Sequence, residues 1–166
     1  MNIQIQDNFF SPTVFEQFQQ LMLSNEFEWY YMDYKVTEDE TEDDFQFTHA
    51  FYQWMQPQSR YWPQLPNELI EKLNIQLLIN IKAKLTTRKH EHTLSKFHVD
   101  QNLPNTLTSI FYVNSNNGCT VFKTGEKIES VENRMITFPS FSEHCTLSHT
   151  DTRRRVLLNI NYIISP

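Results

Sequence analysis

Glycine is nearly missing from this chain, with two in 166 residues. Turns that need a left-handed backbone must therefore use asparagine, aspartate or serine. Cysteine is equally scarce: Cys119 and Cys145 are too few for a disulfide framework, and both are expected to be small buried residues. No apolar run approaches the roughly 18 to 20 residues that a membrane helix needs, so membrane integration is not expected. The start, MNIQIQDNFF, lacks a basic n-region, an apolar core and a small-residue cleavage site, so a cytoplasmic protein is expected. Positive charge is in deficit, 14 Lys and Arg against 20 Asp and Glu for a net charge of −6, which argues against a partner of duplex nucleic acid.

What remains is one domain's length of chain, able to bury about two-thirds of its unfolded surface. Ser11 followed by Pro12 reads as a helix start, with Val14, Phe15, Phe18, Leu21 and Met22 on one stripe. The aromatic stretch from Phe27 to Tyr34 reads as a strand and leads into the acidic segment Glu38 to Asp44, a solvated loop. Asn67 reads as the cap of a short second helix, Glu68 to Leu73.

The period then changes. Ile75, Leu77, Ile79, Ile81, Ala83 and Leu85 alternate with mostly polar neighbours, as in a half-buried strand. Short strands are predicted at Thr106 to Asn114, Cys119 to Lys123, Lys127 to Val131, Met135 to Phe138, His144 to Leu147 and Val156 to Ile164. The expected architecture is a single domain over residues 1–166, with a helical flank over about 1–74 and an antiparallel sandwich or barrel over about 75–164.

Within SKFHVDQN, His98 and Asp100 lie two apart, so on an extended chain their side chains point the same way. An imidazole and a carboxylate together begin the facial 2-His-1-carboxylate site of non-haem iron, which needs one more imidazole. His-x-Asp is a weak signal by itself, since His149-Thr150-Asp151 repeats it. No histidine follows Asp151, however, whereas His98 and Asp100 have His144 and His149 downstream. Arg155 follows His144 by 11 positions (155 minus 144). A dicarboxylate chelating iron at one end needs a cation at the other, and guanidinium meets carboxylate fork to fork. On the last strand Arg155, Leu157, Asn159 and Asn161 share a polar face suited to a ligand cavity, while Val156, Leu158, Ile160 and Tyr162 share an apolar one.

FHVD at His98, TLTSIFYVN, NNGCTVF and PSFSEHCTLSHTDTRRRVLLNINY together resemble the 2-oxoglutarate- and Fe(II)-dependent oxygenases, in particular their compact prolyl-4-hydroxylase-like, phage-type branch. The likeness spans residues 75–164, with a weaker echo in IQDNFFSPTVFEQF. It implies a mainly β, α+β fold with flanking helices: a double-stranded β-helix, the cupin-like jelly roll. By the same resemblance His98, Asp100 and His144 are metal ligands and catalytic residues, and Arg155 anchors the cosubstrate. Tyr112, in Tyr112-Val113-Asn114 where the family has Tyr-Leu-Asn, offers a hydroxyl to the same carboxylate. The implied cofactors are Fe(II), 2-oxoglutarate and O2, with ascorbate as a supporting reductant. The implied reaction decarboxylates 2-oxoglutarate to succinate and CO2 while hydroxylating a substrate.

Two features depart from the family. Asn117-Gly118 stands where many relatives have two glycines, and Leu85 to Lys96 lacks the tyrosines of the animal prolyl hydroxylases. The substrate is thus open among protein proline, a free amino acid, a nucleobase and another small metabolite. Two other readings stand beside this one: a cupin-like metalloprotein that does not use 2-oxoglutarate, and a non-catalytic jelly-roll binding module.

Overall fold

The structure, a computed structural model, describes residues 2–36 and 45–164. In chain order its elements are β1 (Gln4–Gln6), α1 (Pro12–Leu23), β2 (Tyr30–Met32), β3 (Gln46–Gln53), β4 (Gln56–Pro57), α2 (Asn67–Lys72), β5 (Leu77–Thr87) and β6 (Thr106–Tyr112). They continue with β7 (Asn116–Phe122), β8 (Lys127–Ser130), β9 (Arg134–Pro139), β10 (His144–Leu147) and β11 (Arg154–Ile163), and a 3-10 turn spans Trp62–Gln64.

The strands form two antiparallel sheets, as expected for a double-stranded β-helix. The major sheet runs β1-β9-β6-β11-β5-β3-β2 with β4 alongside β3, and the minor sheet runs β10-β7-β8. The seven strands predicted from residue 75 onward all form, β10 with the bounds given by the sequence. Asparagine carries most of the non-glycine left-handed positions among the described residues: Asn8, Asn74, Asn105 and Asn133 have φ between 49° and 57°, and Trp54 and Met55 are the others. Asn133 also uses its side chain, exchanging two hydrogen bonds of 2.9 Å with the backbone of Phe10 and fixing the entry to α1.

The main core lies between the outer face of the major sheet and α1 and α2. Phe18 and Met22 from the predicted stripe meet Leu69, Ile81, Phe111, Val156, Leu158 and Ile160 there, each side chain contributing roughly 1.5–3 kcal/mol by leaving water. A smaller cluster of Ile110, Tyr112, Phe122, Ile128, Ile136, Phe138 and Leu157 joins the two sheets. Cys119 and Cys145 are buried free thiols beside Val121, as expected.

Four expectations about the first half need correction or fall outside the description. Residues 1–74 are more than a helical flank, because β1, β2, β3 and β4 lie within them and join the major sheet. The aromatic stretch forms a strand only over Tyr30–Met32, with Phe27 turned into the core instead. The N-cap of α2 is Pro66, so Asn67 is already inside the helix. Glu38 to Asp44, expected as a solvated loop, lies outside the described residues, and β3 begins two residues beyond it at Gln46.

Candidate active site

The FHVD segment runs beside β10. His98 and His144 form an isolated antiparallel bridge, each backbone N–H donating to the other's carbonyl at 3.0 Å. Directly paired residues across antiparallel strands project to one side, so two histidines far apart in sequence stand with ring centroids 4.5 Å apart. Asp100 is held by its backbone N–H, which donates to the Ser140 carbonyl at 3.1 Å. Its two oxygens then face the two rings, with Oδ1 3.7 Å from His98 Nε2 and Oδ2 3.8 Å from His144 Nε2. One ligand atom from each of the three residues falls within 4.8 Å of the others, a spacing that could hold a metal ion.

The surroundings select the ligating form of each group. His144 Nδ1–H donates to the Ser142 carbonyl at 2.9 Å and His98 Nδ1–H to the Lys96 carbonyl at 3.3 Å, which leaves both Nε2 lone pairs for the site. Burial, reinforced by Lys84 and His144, pushes the His98 imidazole down to about 4, so it is neutral at pH 7. His144 is lowered too, chiefly by burial among Phe122 and Phe138. Burial opposes ionisation of Asp100, but Lys84, His144 and the Asn159 amide outweigh it and hold the carboxyl below its usual range. Asn159 Nδ2 donates to Asp100 Oδ2 at 3.0 Å, and Asn161 Nδ2 donates to Asn159 Oδ1 at 2.8 Å, so a chain of amides on β11 orients the carboxylate.

Arg155 enters from β11, 2% exposed. Its Nε–H donates to Ser130 Oγ at 2.9 Å, which ties the two sheets together, while its buried Nη2 has no hydrogen-bond partner among the described residues. Burial lowers its affinity for a proton. A guanidinium kept dry with a donor unused is ready for an anion. His98 and Arg155 line the same narrow cavity, with Thr86, Ser95, Thr146 and Leu157 on its walls. Tyr112 is fully buried with its ring centroid 5.6 Å from the Arg155 guanidinium, and its hydroxyl is hydrogen-bonded to Thr120 Oγ1 at 2.7 Å.

The second His-x-Asp copy is elsewhere. His149 is fully buried, and Asp151 accepts the Asn117 backbone N–H at 3.0 Å, pinning the start of β7 beside Gly118. Gly118 is needed there: a Cβ would meet the Leu147 carbonyl at 3.0 Å and His149 Cβ at 3.2 Å. His92 turns its Nδ1 to the Ser148 carbonyl at 2.6 Å. His49, without a visible partner in sequence, is a core residue bonded to the Glu28 carbonyl and Ser59 Oγ.

Sequence reasoning passed over Lys82 and Lys84. They share the inner face of β5 with Asn80 and Thr86, while Ile81, Ala83 and Leu85 fill the core, and even-numbered polar positions on a long strand were the available signal. Burial, then Lys84, pushes the Lys82 ammonium below the ordinary lysine range.

No family model and no curated protein matches the sequence. Solved structures do match in fold. A prolyl hydroxylase from Trichoplax adhaerens, in complex with a peptide fragment of the hypoxia inducible factor oxygen degradation domain, aligns with a TM-score of 0.69 at 13% identity over 97% of this chain and 83% of its own. A Pseudomonas putida prolyl-4-hydroxylase aligns with a TM-score of 0.60 at 14% identity, covering 98% and 92%. HygX from Streptomyces hygroscopicus, solved with nickel and 2-oxoglutarate bound, aligns with a TM-score of 0.62 at 9% identity, covering 98% and 83%. The chain therefore has the double-stranded β-helix fold of the 2-oxoglutarate- and Fe(II)-dependent oxygenases.

Proposed function

We propose that the protein is an Fe(II)- and 2-oxoglutarate-dependent dioxygenase that hydroxylates its substrate while converting 2-oxoglutarate to succinate and CO2. The observation that carries this reading is the pairing of a His98, Asp100, His144 triad with the buried, incompletely bonded guanidinium of Arg155 in one cavity. The residues fit the group. Two neutral imidazoles and an ionised carboxylate are the donor set of non-haem Fe(II), and the unused Nη2 fits the far carboxylate of a dicarboxylate cosubstrate. When bound, iron, 2-oxoglutarate and O2 supply the oxidising chemistry, with ascorbate as a supporting reductant.

The chain's own residues supply position and shielding. Asn159 and the Ser142 carbonyl keep Asp100 and His144 turned to the metal. Arg155, steadied by Ser130, fixes the cosubstrate's distal carboxylate, and Tyr112 packs against the guanidinium with its hydroxyl as a second donor for that group. Leu157 and the buried Phe122 and Phe138 keep bulk water from the ligands. The neighbours in fold include an enzyme solved with a peptide, so a peptide or amino-acid substrate is compatible with the scaffold, as is a nucleobase or another small metabolite. No helix among the described residues is long and apolar enough to cross a membrane. Free buried thiols suit the reducing cytoplasm, the proposed location.

Anaerobic titration of the metal-free protein with Fe(II) and 2-oxoglutarate tests this reading through the visible charge-transfer band of the chelate. The band should form in wild type and vanish in His144→Ala. Its absence from folded, metal-competent wild type would remove the dioxygenase reading in favour of a cupin-like metalloprotein without 2-oxoglutarate, or a binding module.

A further inference from the structure

Adjoining the narrow cavity of Arg155, and sharing Lys35, Gln46 and Lys84 with it, is a second cavity of about 450 Å3, within the range of small-molecule sites. Asp100 and Asn159 form one wall, so anything bound there lies against the metal triad. The inner face of β5 forms another wall through Asn80, Lys82 and Lys84.

Among the described residues lining this cavity, the lysines outnumber the carboxylates. Residues two apart on a strand are roughly 6.5 Å from each other, so Lys82 and Lys84 repel. Their neighbours across the ladders are neutral: Ala50 and Asn159 flank Lys82, and Thr48 and Leu157 flank Lys84. Neither ammonium has a hydrogen bond or ion pair to another described residue. Asp100 is the only carboxylate among the described residues lining the cavity; it offsets one of the two lysine charges, and its oxygens are directed to the two histidines and Asn159. Asn80 adds a donor: its Oδ1 accepts from Asn161 at 3.2 Å, while its Nδ2 has no partner among the described residues. Two half-buried cations and a spare amide N–H facing one small cavity form an anion site.

We propose that this cavity selects a small anionic substrate, whose carboxylate or phosphate is held by Lys82 with Lys84 and Asn80 while the rest of the molecule lies against Asp100 and the metal. Its assignment as a substrate site rests on the proposed dioxygenase reaction; its anion preference does not. Ammonium groups are point charges without a fixed fork, so they grip either anion. Thr48, Gln53 and Gln101 line the cavity with neutral hydrogen-bonding groups, as a polar substrate body requires.

Propionate, propyl phosphate and propionamide are the probes. Each is added at millimolar concentration to desalted protein loaded with Mn(II) and saturated with 2-oxoglutarate, and paramagnetic broadening of its proton signals is measured. At least one anion should be broadened about fivefold more than the amide, and whichever is broadened more identifies the preferred group. The preference should disappear in Lys82→Met and persist in Lys82→Arg, which keeps the charge. Equal broadening of the amide and both anions overturns the proposal. So does a preference that survives Lys82→Met and is lost in Arg155→Ala, which would place the anion at the cosubstrate end. The Fe(II) and 2-oxoglutarate band of the same wild-type preparation reports the reaction class separately. Its absence beside a Lys82-dependent preference would remove the dioxygenase reading and leave the anion site standing.

Discussion

The two faces of the major sheet are made from the same strands, yet one is a core and the other a chemical site. On β11, Val156, Leu158, Ile160 and Tyr162 face α1 and α2, while Arg155, Asn159 and Asn161 face the cavities. On β5, Ile81, Ala83 and Leu85 go outward and Asn80, Lys82 and Lys84 inward. Moving one position along either strand exchanges a stabilising residue for one that is costly to keep dry. The fold thus separates stability from chemistry by the two-residue period of the strand.

This division can be broken most strongly from the outer face. Phe111 is fully buried with Phe10 4.9 Å away, and Phe111→Ala should lower unfolding stability in urea by about 3–5 kcal/mol. A loss under about 1 kcal/mol would mean that the outer face is not the principal core. On the inner face the effects should reverse. Arg155→Met should weaken 2-oxoglutarate binding roughly 100-fold, close to 3 kcal/mol, in the charge-transfer titration. The cofactor-free protein should lose little stability or gain some, because a buried cation with an unused donor has gone. If the metal-free variant unfolds as readily as Phe111→Ala, the two faces are not separable.

Acid should also act through the inner face. The folded His98 titrates near 4 against the usual 6.5, so on acidification the unfolded chain takes up the proton first. Stability is then whole above pH 6.5 and declines as the pH falls toward 4, by about 3 kcal/mol for this group, with His144 shifted in the same direction. Melting temperatures of metal-free protein at pH 7 and pH 5 would show it, and saturating Ni(II) should blunt the difference by competing with the proton. A flat profile would contradict the burial of the imidazoles. The smallest effect is expected at the seam. Tyr112→Phe loses the bond to Thr120 and should cost about 1 kcal/mol in stability with less than a tenfold change in the 2-oxoglutarate requirement.

The second half of the chain was legible because its signals are local. The alternation on β11 correctly separated the cavity face from the core face, and the separation of His98 from Asp100 put both side chains at one place. The strand β3 was missed because its longest pairing is with β5, which comes from distant sequence, and the adjoining acidic block disguised its start. The role of His49 was likewise hidden, since its partners Glu28 and Ser59 are brought near only by folding. Lys82 and Lys84 were visible as residues but not as a pair without anions, because that depends on which side chains stand across the ladder.

The bridge between His98 and His144 closes a loop of 46 positions (144 minus 98) with two hydrogen bonds and no covalent link. A metal ion gripping both side chains would act there as a removable crosslink, and Asp100, bonded to Asn159, would extend the tie from the minor sheet to the major one. Loading the site would therefore shrink the ensemble of the open chain as well as furnish a reactive centre. Amide hydrogens of β10 and of the segment around His98 should be the first to exchange in the stripped protein and the most slowed when metal is restored. On this view the loop that carries the first ligand acquires its firmness from the same ion it binds.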